Sequence, residues 1–153
     1  MPLLTTEENQ RLKALGERLI DQDAARVVVP PKKNEPGFWF GSGNLVEDPS
    51  GRFYLCGRYR NFGDSRTGLH AGERGLEFAV FRSDDGGERF EKVLSYPKAE
   101  LGHRGHEVIS IEGSAMRLTQ EGVELYLSTE KSGYTYPDGL EEFQKEGTGK
   151  WTI

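Results

Sequence analysis

A repeat is the feature that most narrows what this chain can fold into. Gly43-Asn44-Leu45-Val46, a turn ending at Gly51 and the run Phe53-Tyr54-Leu55 recur seventy residues later as Gly113-Ser114-Ala115-Met116, a turn ending at Gly122 and Glu124-Leu125-Tyr126-Leu127. Short runs rich in aromatic and β-branched residues, separated by glycine and acidic turns, read as strands near 43–46, 53–59, 77–82, 90–94, 114–118 and 123–129, with another starting at Trp151. One period thus holds four strands. Four antiparallel strands per unit, repeated, is the pattern of a β-propeller blade, so the expected fold class is all-β.

At seventy residues per unit, 153 residues hold one blade and part of a second. A repeat array needs neighbours to bury its sheet faces, so the expectation is the N-terminal portion of a longer propeller. Ahead of the strands, Thr5-x-x-Glu8 has the form of a capping box, and Leu12, Leu15 and Leu19 follow at helical spacing. One amphipathic α-helix is expected over about 6–20, its leucine stripe a packing face. Pro30-Pro31 and the exposed run Lys32-Lys33-Asn34-Glu35-Pro36-Gly37 then mark a linker. The organisation expected is helix and linker over 1–37 and blades over 38–153.

Composition removes several function classes. An apolar share of 35% is supplemented by 20 glycines, which suits turn-rich β structure. A net charge of −5 and a pI near 5.3 offer no cationic field for a phosphate backbone, so no nucleic-acid partner is expected. No run approaches the roughly 18 apolar residues needed to cross a bilayer, and the amphipathic start lacks a signal-peptide apolar core. The expectation is a cytoplasmic protein without a membrane partner. The single cysteine, Cys56, excludes an internal disulfide and any multi-cysteine metal cluster, and no cofactor or metal is expected.

Ser83-Asp84-Asp85-Gly86-Gly87-Glu88-Arg89-Phe90 fits Ser-x-Asp-x-Gly-x-x-aromatic and resembles the Asp-box turn of sialidase-type propellers. Serine and aspartate can bond nearby amides and the glycines accept positive φ, so Asp85 is expected to hold the hairpin. The wider string resembles the five-bladed glycoside hydrolases of family 43 and its relatives in families 32 and 68. Its members are Phe38-Trp39-Phe40, the Gly-Asn-Leu-Val run, the Asp-Gly hairpin, and Glu112-Gly113 followed by Leu125-Tyr126-Leu127-Ser128, over 38–131. The resemblance implies a five-bladed propeller that hydrolyses a glycosidic bond by acid/base catalysis, with a carbohydrate as partner.

By that resemblance Glu112 is the candidate catalytic residue, because it looks like the acid of the family's Glu-Gly-Pro type motif. Glycosidic cleavage needs two carboxylates. The family's base is an aspartate at the entry of the first inner strand, where this chain has Ser42-Gly43-Asn44. A neutral Asn44 at that place contacts substrate at most. The family's acid also comes from the third blade, whereas Glu112 is counted in the second, so it stands either as acid or as an auxiliary carboxylate that orients substrate. A third reading makes it a structural ion-pair member with Arg58, Arg60 or Arg82.

Arg58 and Arg60 share a strand face and suit a carboxylate or hydroxyl-rich sugar, or pair with Glu112 or Asp48. Trp39 and Tyr54 are the sugar-stacking candidates by type, with core packing the alternative. His103-Arg104-Gly105-His106 suits a loop in which His106 contacts ligand or moves a proton, a solvated loop, or, with Glu107, a metal site. The long loop 132–149 could supply part of a rim. The candidate binding residues are therefore Trp39, Asn44, Arg58, Arg60 and His106. Two rival functions accompany the hydrolase: a sialidase-like propeller, and a non-catalytic carbohydrate-binding or scaffold propeller without the first-blade aspartate. The portion shown is expected to be inactive alone.

Overall fold

The computed structural model describes residues 4–61, 75–143 and 149–153. Among the described residues one α-helix, α1 (Thr6–Leu19), precedes eight strands: β1 (Trp39–Gly41), β2 (Leu45–Glu47), β3 (Phe53–Arg60), β4 (Glu77–Ser83), β5 (Glu91–Pro97), β6 (Val108–Thr119), β7 (Gly122–Lys131) and β8 (Lys150–Thr152). They form two antiparallel sheets, the first in the order β1-β3-β4-β5 with β2 also on β3, the second in the order β6-β7-β8. Among the described residues neither sheet closes on itself. No described helix is long and apolar enough to cross a membrane.

The N-terminus of α1 forms as its local chemistry dictates. The Thr5 hydroxyl accepts from the Glu8 N–H at 3.2 Å and the Glu8 carboxylate accepts from the Thr5 N–H at 2.7 Å, so two orphan amides are satisfied. The leucine stripe departs from expectation. Leu12, Leu15 and Leu19 are 50–77% exposed, and α1 buries no residue.

β1 and β2 are one run of chain broken at Ser42, whose φ of +62° lies in the left-handed region. The break turns the Ser42 carbonyl toward the second sheet, where it accepts from the Ser114 N–H (2.9 Å) and the Ser114 hydroxyl (3.0 Å). Asn44 completes the junction. Its Nδ2 donates to the Met116 carbonyl (3.0 Å) and its Oδ1 accepts from the Met116 N–H (2.8 Å), as a backbone amide would in a ladder. Gly43 between them has no room for a side chain, since a Cβ would lie 2.0 Å from the Cys56 carbonyl oxygen.

Alternation along the strands sorts apolar residues into two clusters, one on each face of the first sheet. Cys56, Phe78 and Val80 pack against Val108, Ile111 and Met116 of β6, forming the core between the sheets. On the opposite face Tyr59, Ala79 and Phe81 gather Phe40, Leu55 and Phe90, and Val29 of the linker covers them. Gly57 makes this possible, because a Cβ there would lie 2.8 Å from the Phe40 ring. The linker is strapped on by Lys32 to Glu77 (2.5 Å) and by Arg26 to Glu88 (2.5 Å) and to the Gly87 carbonyl (2.9 Å).

The seventy-residue match does not carry over into the strand register. Val46 and Met116, matched by the seventy-residue spacing, both pack into the cluster between the sheets and so point toward each other. Units repeated around an axis would point them the same way. The pairing supports a shift of one residue in the first strand: Leu45 stands opposite Leu55 as Met116 stands opposite Leu125. A one-residue slip reverses every side chain's face, which spacing alone does not reveal.

The Asp-box turn has the expected wiring. Asp85 Oδ1 accepts from the Ser83 hydroxyl (2.8 Å) and the Arg89 N–H (2.9 Å), and the Ser83 oxygen accepts from the Gly87 N–H (2.9 Å). Gly86 and Gly87 have φ of +74° and +90°. These bonds, the Arg89 amide foremost, hold the Asp85 carboxyl below its ordinary range.

Candidate functional site

Four of the expected site residues, Trp39, Arg58, Arg60 and Glu112, gather where β1 and β3 of the first sheet meet the start of β6. β3 pairs with β1 so that Arg60 lies opposite Trp39 and Arg58 opposite Gly41. By alternation Cys56, Arg58 and Arg60 face the second sheet while Tyr59 faces away. Both arginines are buried, at 6% and 7% exposure. Gly41 stands opposite Arg58 and lets the Trp39 ring lie close, since a Cβ there would be 3.1 Å from it. The ring fills that space, and the Arg58 guanidinium stands 5.4 Å from its centroid.

Arg58 is the centre of the group. Its Nη1 donates to the Ile111 carbonyl (2.5 Å) and lies 3.3 Å from Glu112 Oε2. Its Nε is buried and, among the described residues, without a hydrogen-bond partner. Burial lowers the Arg58 pKa, opposed by the Glu112 carboxylate and reinforced by the Arg60 charge. Glu112 reaches the guanidinium because β6 bulges there: the β6–β7 register slips between Ile111 and Gly113. Its side chain keeps 22% exposure, so the pair is not sealed from solvent.

The alternatives for Glu112 are thereby narrowed. Of the three arginines considered, it pairs with Arg58; Arg82 pairs with Asp84 at 2.9 Å. Asp48 belongs to its own turn, accepting from the Ser50 hydroxyl, the Ser50 and Arg52 amides and the Arg52 guanidinium. Tyr54 packs against the core between the sheets, whereas Trp39 keeps 37% exposure beside Arg58. Asn44 spends both polar atoms of its amide on Met116, with the Cys56 thiol also on its Oδ1 at 3.2 Å. It joins the sheets rather than presenting its amide to a ligand.

His106 lies beyond the start of β6, at the end of a tight hairpin in which His103 and His106 exchange both backbone hydrogen bonds. Its ring stacks on Tyr134 at 3.8 Å between centroids, and its Nδ1 lies 2.8 Å from the Ser132 carbonyl oxygen. Among the described residues no three His, Cys, Asp or Glu side chains come together as a group able to hold a metal ion.

Tyr134, of the loop 132–149 expected to supply part of a rim, is the residue on which His106 stacks. Two contributors do not stand out in the sequence: Gly41 and the Ile111 carbonyl. Gly41-Ser42-Gly43, a glycine pair inside a strand-like run, is the available signal for a break with close backbone approach. The Ile111 carbonyl reaches Arg58 across more than fifty residues of chain. No family model, curated protein or solved structure matches the chain.

Proposed function

We propose that the two sheets are neighbouring blades of a β-propeller and that Trp39, Arg58 and Glu112 line a carbohydrate site at their junction, in a protein that hydrolyses a glycosidic bond. The observation that carries this reading is the Arg58 group. An aromatic ring, a guanidinium and a partly exposed carboxylate adjoin at the meeting of two sheets, and a buried donor, Nε, has no described partner. Aromatic rings stack on the apolar faces of sugars, and guanidinium and carboxylate groups bind their hydroxyls. Buried polar atoms are ordinarily satisfied, so an orphaned donor suits a place a ligand completes.

In this reading Glu112, tied to Arg58, orients substrate and supports the charge of the reacting centre, and Arg60 adds positive potential behind Arg58. The acid and base that cleavage requires are then other carboxylates of the protein. A second reading, a non-catalytic carbohydrate-binding propeller, is favoured by one observation: the Ser42 carbonyl and the Asn44 amide, at the place the resemblance reserves for a catalytic aspartate, are spent on β6.

A panel of 4-nitrophenyl glycosides, including a sialic acid glycoside, assayed with the full-length protein and its Glu112→Gln variant tests the proposal. Turnover of at least one glycoside, lowered about a hundredfold or more in the variant, is the expected result. Turnover unaffected by the substitution removes Glu112 from the reaction. Saturable sugar binding without turnover selects the binding module, and neither binding nor turnover refutes both readings.

A further inference from the structure

The hairpin carrying His106 breaks a local rule in a way the junction site does not explain. Arg104 and Gly105 have φ of +52° and +81°, and His103 and His106 bond each other on both sides, which is the geometry of a two-residue type I′ turn. The first central position of that turn favours asparagine, aspartate or glycine, and here an arginine is held in the left-handed region. A residue kept against its local preference is a pointer to function.

Next to it the His106 ring is fixed by two contacts, with room left for it by a glycine. A carbonyl oxygen only accepts, so Nδ1 carries the hydrogen toward Ser132. Tyr134 stacks on the ring, and Gly133, with φ of +75°, leaves the space a Cβ would close at 2.9 Å from Nδ1. The remaining ring nitrogen, Nε2, is thus set in one orientation on a residue that lines a cleft of about 550 Å³. Lys98, His103, Arg104 and Glu107 also line it. Cationic or protonatable nitrogens outnumber the one carboxylate, in a chain whose net charge is −5. Lys98 is tied inward, donating to the Ile109 carbonyl at 3.1 Å, which leaves Arg104 and the oriented His106 ring, with His103 beside them, as the groups placed for a ligand.

We propose that this cleft binds an oxyanion group, a phosphate, sulfate or carboxylate, on the Arg104 guanidinium and Nε2 of His106. Planar guanidinium forks and imidazole nitrogens recognise such groups through charge-assisted hydrogen bonds. The inference stands apart from the carbohydrate reading, since the group can be free or carried on a sugar.

Isothermal titration at low ionic strength with sodium phosphate, sodium sulfate and sodium glucuronate tests it. At least one is expected to bind saturably with one-to-one stoichiometry, and the preferred ion identifies the carrier chemistry. Arg104→Asn removes the charge while installing a residue the turn favours, so the fold is retained and affinity is expected to fall about tenfold or more. His106→Asn keeps a donor for the Ser132 carbonyl but has nothing in place of Nε2, and the same loss is expected. A nitrogen-detected imidazole spectrum should show the His106 Nε2 resonance moving with ligand in the parent protein. No saturable binding of any of the three ions overturns the proposal, as does undiminished affinity in either variant.

Discussion

Replacing Asn44 by alanine removes the polar clasp between the two sheets and leaves their backbones in place. Two neutral hydrogen bonds to Met116, at 2.8 and 3.0 Å, are lost together with the thiol contact from Cys56. Each neutral bond is worth about 1 kcal/mol net, so the pair gives about 2 kcal/mol. Met116 is 4% exposed, so its N–H does not gain water in exchange, and an unsatisfied buried amide adds about 1 kcal/mol or more. The expected loss is about 3 kcal/mol, large beside the 5–15 kcal/mol typical of a domain. Urea denaturation followed by far-UV circular dichroism reads it. With a slope of about 1.5–2 kcal/mol/M the midpoint falls by roughly 1.5–2 M. Asn44→Asp separates chemistry from shape: at neutral pH it accepts from the Met116 N–H but opposes a carboxylate oxygen to the Met116 carbonyl. Its loss should match or exceed that of alanine. A loss below about 0.5 kcal/mol in Asn44→Ala would show that the Asn44 amide does not hold the sheets together and refute the clasp.

Further consequences concern the sheet faces and turns. Burial opposes ionisation of Glu77, but hydrogen bonds from Lys32, Lys92 and Ser95 outweigh it and hold its pKa at about 2. A folded pKa below the unfolded one gives stability that is complete above about pH 4.5 and lost as pH falls toward about 2, worth on the order of 2 kcal/mol once exposed lysine ends are discounted. Urea midpoints between pH 2 and 5 should lose that component in Glu77→Gln, and an unchanged pH profile in the variant contradicts the assignment. Gly43→Ala drives a Cβ against the Cys56 carbonyl and should cost about 1–3 kcal/mol in the same titration; a neutral result would mean that β2 can leave β3 freely. Asp85→Ala should raise hydrogen exchange at the Arg89 amide, which donates to the lost carboxylate, and equal protection in parent and variant would deny Asp85 its structural role.

What was readable from sequence was what short stretches of chain decide. The capping box at Thr5 and Glu8, the Asp-box turn from Ser83, and the strands ending in glycine turns each depend on neighbours within a few residues. Elements set by distant partners were read less well. β6 begins at Val108, not near Ser114, because Gly113, taken as marking the strand's entry, sits instead at an internal bulge. The leucine stripe of α1 named a face but not what would cover it, and the structure leaves it exposed. The sequence match set Val46 against Met116, whereas the pairing register is offset from it by one residue, a difference that decides which way the two side chains face and is invisible in the sequence. Of the candidate residues, Trp39, Arg58, Arg60 and Glu112 come together and His106 lies beyond the start of the same strand. Whether an arginine and a glutamate fifty residues apart pair is a matter of sheet packing, so the Arg58–Glu112 ion pair could only stand among alternatives.

The claim that Trp39 and Arg58 form part of a carbohydrate site is tested most directly by the fluorescence of Trp39 itself. The chain has two tryptophans, so Trp151→Phe leaves Trp39 as its only indole emitter. Titrating that protein with neutral and acidic mono- and oligosaccharides should give a saturable change in intensity or wavelength with at least one sugar, abolished when Arg58→Ala is added. A flat response across the panel, in a protein whose circular dichroism shows it folded, would contradict the account.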